Sequence, residues 1–119
     1  MGSLILTVDR NKRNLELLTQ FLTKQGYESL AVSSVEDFDE ALKQVENFRL
    51  ALVDIAGFDR QIWQYCERLA ENGIPLLILS PPHVSSIHQE SLSHGAQGVL
   101  FKPLVLKEFT SMLHQMFQD

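Results

Sequence analysis

The chain has 119 residues, 45% of them apolar, with 15 acidic against 10 basic side chains and a formal charge of −5. That length suits one core and leaves no room for a second domain, so residues 1–119 are read as a single domain. The acidic balance argues against a protein that grips nucleic acid by neutralising phosphates, and a single cysteine, Cys66, excludes an internal disulfide and points to a reducing, cytoplasmic setting.

The run from Met1 to Asp9 meets a charge before a signal-length apolar stretch can form, and no later run is long enough to span a membrane. Leu4 to Val8 reads as a first strand. Asn11 to Gln25 places Leu15, Leu17, Leu18, Phe21 and Leu22 on one helical face and stops at Gly26, a helix-ending residue. Tyr27 to Val32 is a second strand. Ser33 and Ser34 stand ahead of Glu36 and Asp37 in a capping-box arrangement that opens a helix to about Glu46. Leu50 to Asp54, almost wholly apolar, is the third strand.

A helix from about Arg60 to Glu71 follows, closed by Asn72 and Gly73, and Ile74 to Leu79 is a fourth apolar strand that Pro81 and Pro82 stop. Trp63, Tyr65 and Cys66 fall in this helix and are expected to pack rather than to bind. Val84 to His94 is expected to be helical up to Gly95. Val99 to Phe101 is a short fifth strand before Pro103, and Leu106 to Phe117 the last helix. Strand and helix thus alternate five times, with strands too evenly apolar to have a wet face. A doubly wound five-stranded parallel sheet of order 2-1-3-4-5 between two helical layers is the predicted architecture, its crevice lying by strands one and three.

Four strands run directly into a polar residue: Val8 into Asp9, Val53 into Asp54, Leu79 into Ser80 and Phe101 into Lys102. Parallel strands share one carboxyl edge, so two carboxylates, a hydroxyl and an ammonium should converge there. Each could be no more than a strand leaving the core. Together they suit phosphoryl transfer, which depends mostly on positioning and charge neutralisation. Asp54 would be the nucleophile, Lys102 would balance its charge and then a phosphoryl oxygen, and the Ser80 hydroxyl would donate to another.

At these residues the chain resembles the receiver domain of two-component response regulators. The matching pieces are Leu6-Thr7-Val8-Asp9, Leu52-Val53-Asp54, Ile78-Leu79-Ser80, His94-Gly95-Ala96 and Phe101-Lys102-Pro103, in family order and at near-family spacing. The resemblance implies a flavodoxin-like sandwich, phosphorylation of Asp54 from a histidine kinase or phosphotransfer protein, and a cis bond before Pro103. It further implies Mg²⁺ held by Asp9, Asp54 and the backbone carbonyl of Ala56, with Ser80 and strand-five Val99 as switch positions. Enzymatic activity would go no further than self-phosphorylation and self-dephosphorylation at Asp54.

Several residues depart from that family. A second acid that touches the metal normally follows the first strand, but Asp9 is followed by Arg10, which deletes a ligand and sets a fixed positive charge beside the site. At about 4 Å and an effective dielectric near 20 such a contact is worth about 4 kcal/mol, so Mg²⁺ is expected to bind weakly or not at all. Phe58 and Ile62 stand where a proline and a glycine are usual. Val99 replaces an aromatic, and Pro81-Pro82 should stiffen a loop that ordinarily rearranges.

Two signalling readings follow: a phosphorylated receiver in which Arg10 swings aside or helps hold the phosphoryl group, and a phosphorylation-independent interaction module locked by an Arg10 to Asp54 ion pair. A flavodoxin-like or phosphatase-like enzyme fits less well. The loop after strand one lacks a glycine- and hydroxyl-rich phosphate cradle, and Ala56 stands where a phosphatase would want a second aspartate. His83, His88, His94 and His114 have no zinc-ligand spacing. Leu106, Phe109, Met112, Leu113, Met116 and Phe117 give the last helix more apolar surface than one core stripe needs. A partner surface or homodimer is therefore expected on the face of the fourth helix, fifth strand and last helix. With no output domain expected, the signal would pass through binding.

Overall fold

The computed structural model describes residues 3–82 and 86–118. Five strands, β1 (Leu4–Val8), β2 (Glu28–Val32), β3 (Phe48–Asp54), β4 (Leu76–Ser80) and β5 (Gly98–Phe101), form one sheet in the order β2-β1-β3-β4-β5. All four pairings are parallel. The helices are α1 (Lys12–Lys24), α2 (Val35–Ala41), α3 (Ile62–Glu71), α4 (Ile87–Ser93) and α5 (Leu106–Met116). No helix among the described residues is long and apolar enough to cross a membrane.

Both sheet faces are buried, which is why the strands read as continuous apolar runs rather than as alternation. Leu6, Val8, Ala51, Val53, Leu76 and Ile78 share one core with Phe38 of α2, Ile62, Trp63, Cys66 and Leu69 of α3, and Ile87 of α4. Trp63 and Tyr65 pack as expected, Trp63 stacked on His94 with centroids 5.0 Å apart and Tyr65 on Phe38 at 5.1 Å. On the other face Ile5, Leu50, Leu52 and Leu77 meet Leu22 of α1 and Phe109 and Leu113 of α5, and Phe21 stacks on Phe109 at 5.7 Å.

The sequence signals at helix ends act as chemistry requires. Asn11 caps α1 by accepting the Asn14 N–H at 3.1 Å, and Ser34 caps α2 by accepting the Asp37 N–H at 3.1 Å. Gly26 ends α1 at φ +89°, its N–H donating to Thr23 while Tyr27 N–H donates to Leu22.

Several boundaries differ from those expected. β3 starts at Phe48 rather than Leu50, and β4 starts at Leu76, after Pro75, which has no N–H to give a ladder. The second helix does not run on to Glu46. It ends at Ala41, and Leu42–Asn47 continues as a 3-10 segment broken at Gln44, with φ −121° and ψ 38°. The start of α3 moves to Ile62 because the Asp59 carboxylate accepts the Gln61 N–H at 2.9 Å in a side-chain turn. The expected start of the fourth helix at Val84, with His83, lies outside the described residues.

Candidate functional site

The four polar residues gather at one edge. Val8 is level with Val53, Asp54 with Leu79, and Ser80 with Phe101, so Asp9, Asp54, Ser80 and Lys102 all follow the carboxyl ends of β1, β3, β4 and β5. The sheet order reverses between β1 and β3, where open α/β sheets bind ligands.

Asp54 is 1% exposed. Burial of a carboxylate is tolerable only where its oxygens are bonded, and here both are: Lys102 Nζ donates to Oδ2 at 2.6 Å and Ala56 N–H to Oδ1 at 3.0 Å. Lys102 is held in turn by its own N–H, which donates to the Ser80 carbonyl at 2.8 Å, and the Lys102–Pro103 bond is cis, as the resemblance implied.

Asp9, 9% exposed, accepts the Asn11 N–H on Oδ1 at 2.8 Å. Burial pushes its carboxyl above the ordinary range; the Asn11 bond works against that shift and the Asp54 charge adds to it. Ser80 is fully buried at the same edge, but its hydroxyl donates to the Pro81 carbonyl at 3.1 Å rather than to Asp54.

The Arg10 to Asp54 ion pair of the second reading is not formed. Among the described residues Arg10 pairs with neither Asp54 nor Asp9. Its side chain lies over the loop after β3, where a Cβ on Gly57 would meet Arg10 Cγ at 3.4 Å and Cβ at 3.5 Å, and its guanidinium carbon is 5.7 Å from the Phe58 ring centroid. Lys102 already bonds Oδ2 of Asp54. Phe58, in the place of a proline, is therefore the seat of Arg10, and sequence reasoning missed that role: an arginine beside a glycine-aromatic loop was its only trace.

The expected donor set for a divalent cation is one acid short. Among the described residues there is no group of three acidic, histidine or cysteine side chains that could hold one. Asp9 and Asp54 remain with the Ala56 carbonyl, each carboxylate already bonded to protein donors, and position 10 contributes a cation where Mg²⁺ needs an oxygen. Val99, for which the resemblance implied a switch role, is half-buried on β5 against the core beneath α3 and α4.

A family model for the response regulator receiver domain matches residues 5–114. Among solved structures the chain is similar to a CheY-like response regulator receiver domain protein from Methanospirillum hungatei, at 25% identity and TM-score 0.74, over 98% of this chain and 97% of that one. The signal receiver domain of a DNA-binding response regulator from Colwellia psychrerythraea superposes with TM-score 0.85 at 18% identity, over 98% of each chain. A two-component response regulator from Clostridium difficile gives 0.81 at 20%, over 97% of this chain and 95% of that one. At that identity the last two likenesses concern the fold alone.

Proposed function

The chain belongs to the response regulator receiver family of two-component signalling, and on that premise we propose that it accepts a phosphoryl group on Asp54 from a histidine kinase or phosphotransfer protein and passes the signal on through protein contacts. The observation that carries this reading is the buried Asp54 carboxylate with Lys102 Nζ 2.6 Å from Oδ2, at the carboxyl edge beside Asp9. Lys102 neutralises the nucleophile before attack and can follow the charge onto a phosphoryl oxygen afterwards. Ser80, at the same edge, would donate to a phosphoryl oxygen once its hydroxyl turns away from the Pro81 carbonyl.

The face of α4, β5 and α5 is the proposed docking site of the downstream partner. Phe101, Val105 and Leu106 are exposed there, beside a groove of about 260 Å³ lined by Val99, Pro103, Glu108 and Met112. Exposed apolar surface of this kind is a binding site or a dimer contact. Light scattering over a concentration series separates the two: a species that stays monomeric removes the homodimer.

Incubating the protein with phosphoramidate and Mg²⁺ and weighing it intact tests the acceptor role. One phosphoryl mass is expected, absent from Asp54→Asn. If no adduct forms, or if Asp54→Asn carries the same adduct, Asp54 is not the acceptor.

A second reading, a phosphorylation-independent interaction module, draws on Val99, which has no ring to swing inward, and on the Ser80 hydroxyl already bonded to Pro81. Its proposed lock, an Arg10 to Asp54 pair, is not formed. An amide spectrum of the partner face that is identical before and after phosphoramidate treatment would favour it.

A further inference from the structure

We propose that Arg10 stands in for the divalent cation, so that Asp54 accepts and holds a phosphoryl group without a metal. The inference rests on the reading of Asp54 as phosphoacceptor and concerns what neutralises the transferred group. Arg10 directly follows Asp9, and its stem crosses Gly57 three positions beyond Asp54, with the guanidinium over Phe58. It is exposed and forms no ion pair among the described residues, so its donors are open to an incoming anion while the ring contact keeps the guanidinium against the loop that follows Asp54. Guanidinium forks match phosphoryl oxygens two at a time.

Charge accounting gives the same result. A phosphoryl group brings about −2. In a receiver with two adjacent acids after strand one, one lysine and one divalent cation leave the phosphorylated site at about −1. Here Asp9, the phosphoryl group, Lys102 and Arg10 also leave about −1, with no metal. Replacing an acid by an arginine changes the site by two units, the charge of the ion it displaces. In the reaction, an Asp54 oxygen attacks phosphorus of phosphoramidate, the new P–O bond forms as the P–N bond breaks, and ammonia leaves with the protons it already carries. Lys102 and Arg10 then hold the phosphoryl oxygens.

The test compares wild type, Arg10→Asp and Asp54→Asn by intact mass after phosphoramidate, with Mg²⁺ or with EDTA. Wild type is expected to form the adduct equally well in both. Arg10→Asp should require Mg²⁺, its EDTA rate falling about a hundredfold. A separate readout follows the amides of Asp9, Asp54 and Ala56 during Mg²⁺ titration: flat for wild type, saturable for Arg10→Asp. If wild type is phosphorylated only with Mg²⁺, or its amides saturate like those of the variant, the Arg10 proposal fails while the acceptor reading stands. An Arg10→Asp protein phosphorylated as fast as wild type in EDTA also overturns it. No adduct in either buffer overturns both.

Discussion

Gly95 lies directly against Ala70 of α3: a Cβ added to the glycine would sit 2.4 Å from the Ala70 Cβ. The same glycine closes α4 at φ +97°. Gly95→Ala therefore meets two penalties, a left-handed backbone and a collision, and is expected to lose about 2–3 kcal/mol. Gly26→Ala, at φ +89° with nothing within 4 Å, meets only the first and should lose about 1 kcal/mol. Adding Ala70→Gly to Gly95→Ala removes the collision but places a glycine in α3 at a cost of about 1 kcal/mol, so it should recover only part of the difference. Equal losses at the two glycines in urea unfolding would remove the collision from the account.

Removing Lys102 leaves Asp54 buried with one donor, the Ala56 N–H. Lys102→Met is expected to destabilise by about 2 kcal/mol, below the usual figure for a broken buried pair because the Lys102 side chain is 31% exposed. Asp54→Asn with Lys102→Met should restore most of the loss, since no charge is then stranded. A double variant no better than Lys102→Met would mean that the loss comes from the lysine stem and not from the carboxylate.

Asp9 makes stability depend on pH in a direction opposite to most carboxylates. Burial raises its pKa in the folded chain above the ordinary 3.8, so the unfolded chain gives up this proton first as pH rises. The folded state loses stability through the window above 3.8 and carries the cost at neutral pH. Asp9→Asn keeps a side-chain acceptor for the Asn11 N–H and should raise the melting temperature at neutral pH, with the gain fading below pH 3.8. A gain that persists undiminished in acid would point to something other than ionisation.

Cys66 is fully buried, and burial pushes its thiol up to about 12. Native protein should resist a thiol reagent at neutral pH and react in full once unfolded. Above 9.0 the unfolded thiol ionises first, so stability should fall by about 1.4 kcal/mol per pH unit up to about 12, a slope that Cys66→Ala removes. Rapid labelling of native protein would show that the helix opens locally.

The sheet could be read from the sequence because four of the five strands are short apolar runs that lead into a polar residue, and parallel pairing alone brings those ends together. Asp9, Asp54, Ser80 and Lys102 were found that way. Side-chain direction was not legible. One of the two readings had Arg10 reach inward to Asp54, but Lys102, 48 positions away, bonds that carboxylate and Phe58 offers the guanidinium a ring. Ser80 was expected to donate to a phosphoryl oxygen, and without that group its hydroxyl donates to the neighbouring Pro81 carbonyl. The end of α2 escaped for another reason: Leu42 and Val45 continue a helical apolar spacing whether the backbone is α or 3-10.

Among the described residues two helices, α1 and α5, cover the sheet face that carries Ile5, Leu50 and Leu52, and α5 follows all five strands in the sequence. Phe109 and Leu113 close over Leu50, Leu52 and Leu77, and Arg49 of β3 grips the far end of α5 through the Met116 carbonyl at 3.4 Å and the Phe117 ring at 5.2 Å. During synthesis the five strands emerge before that helix does. A nascent chain stopped short of Leu106 would hold an open greasy flank, ready for a chaperone or for its neighbours, until translation supplies the missing turns.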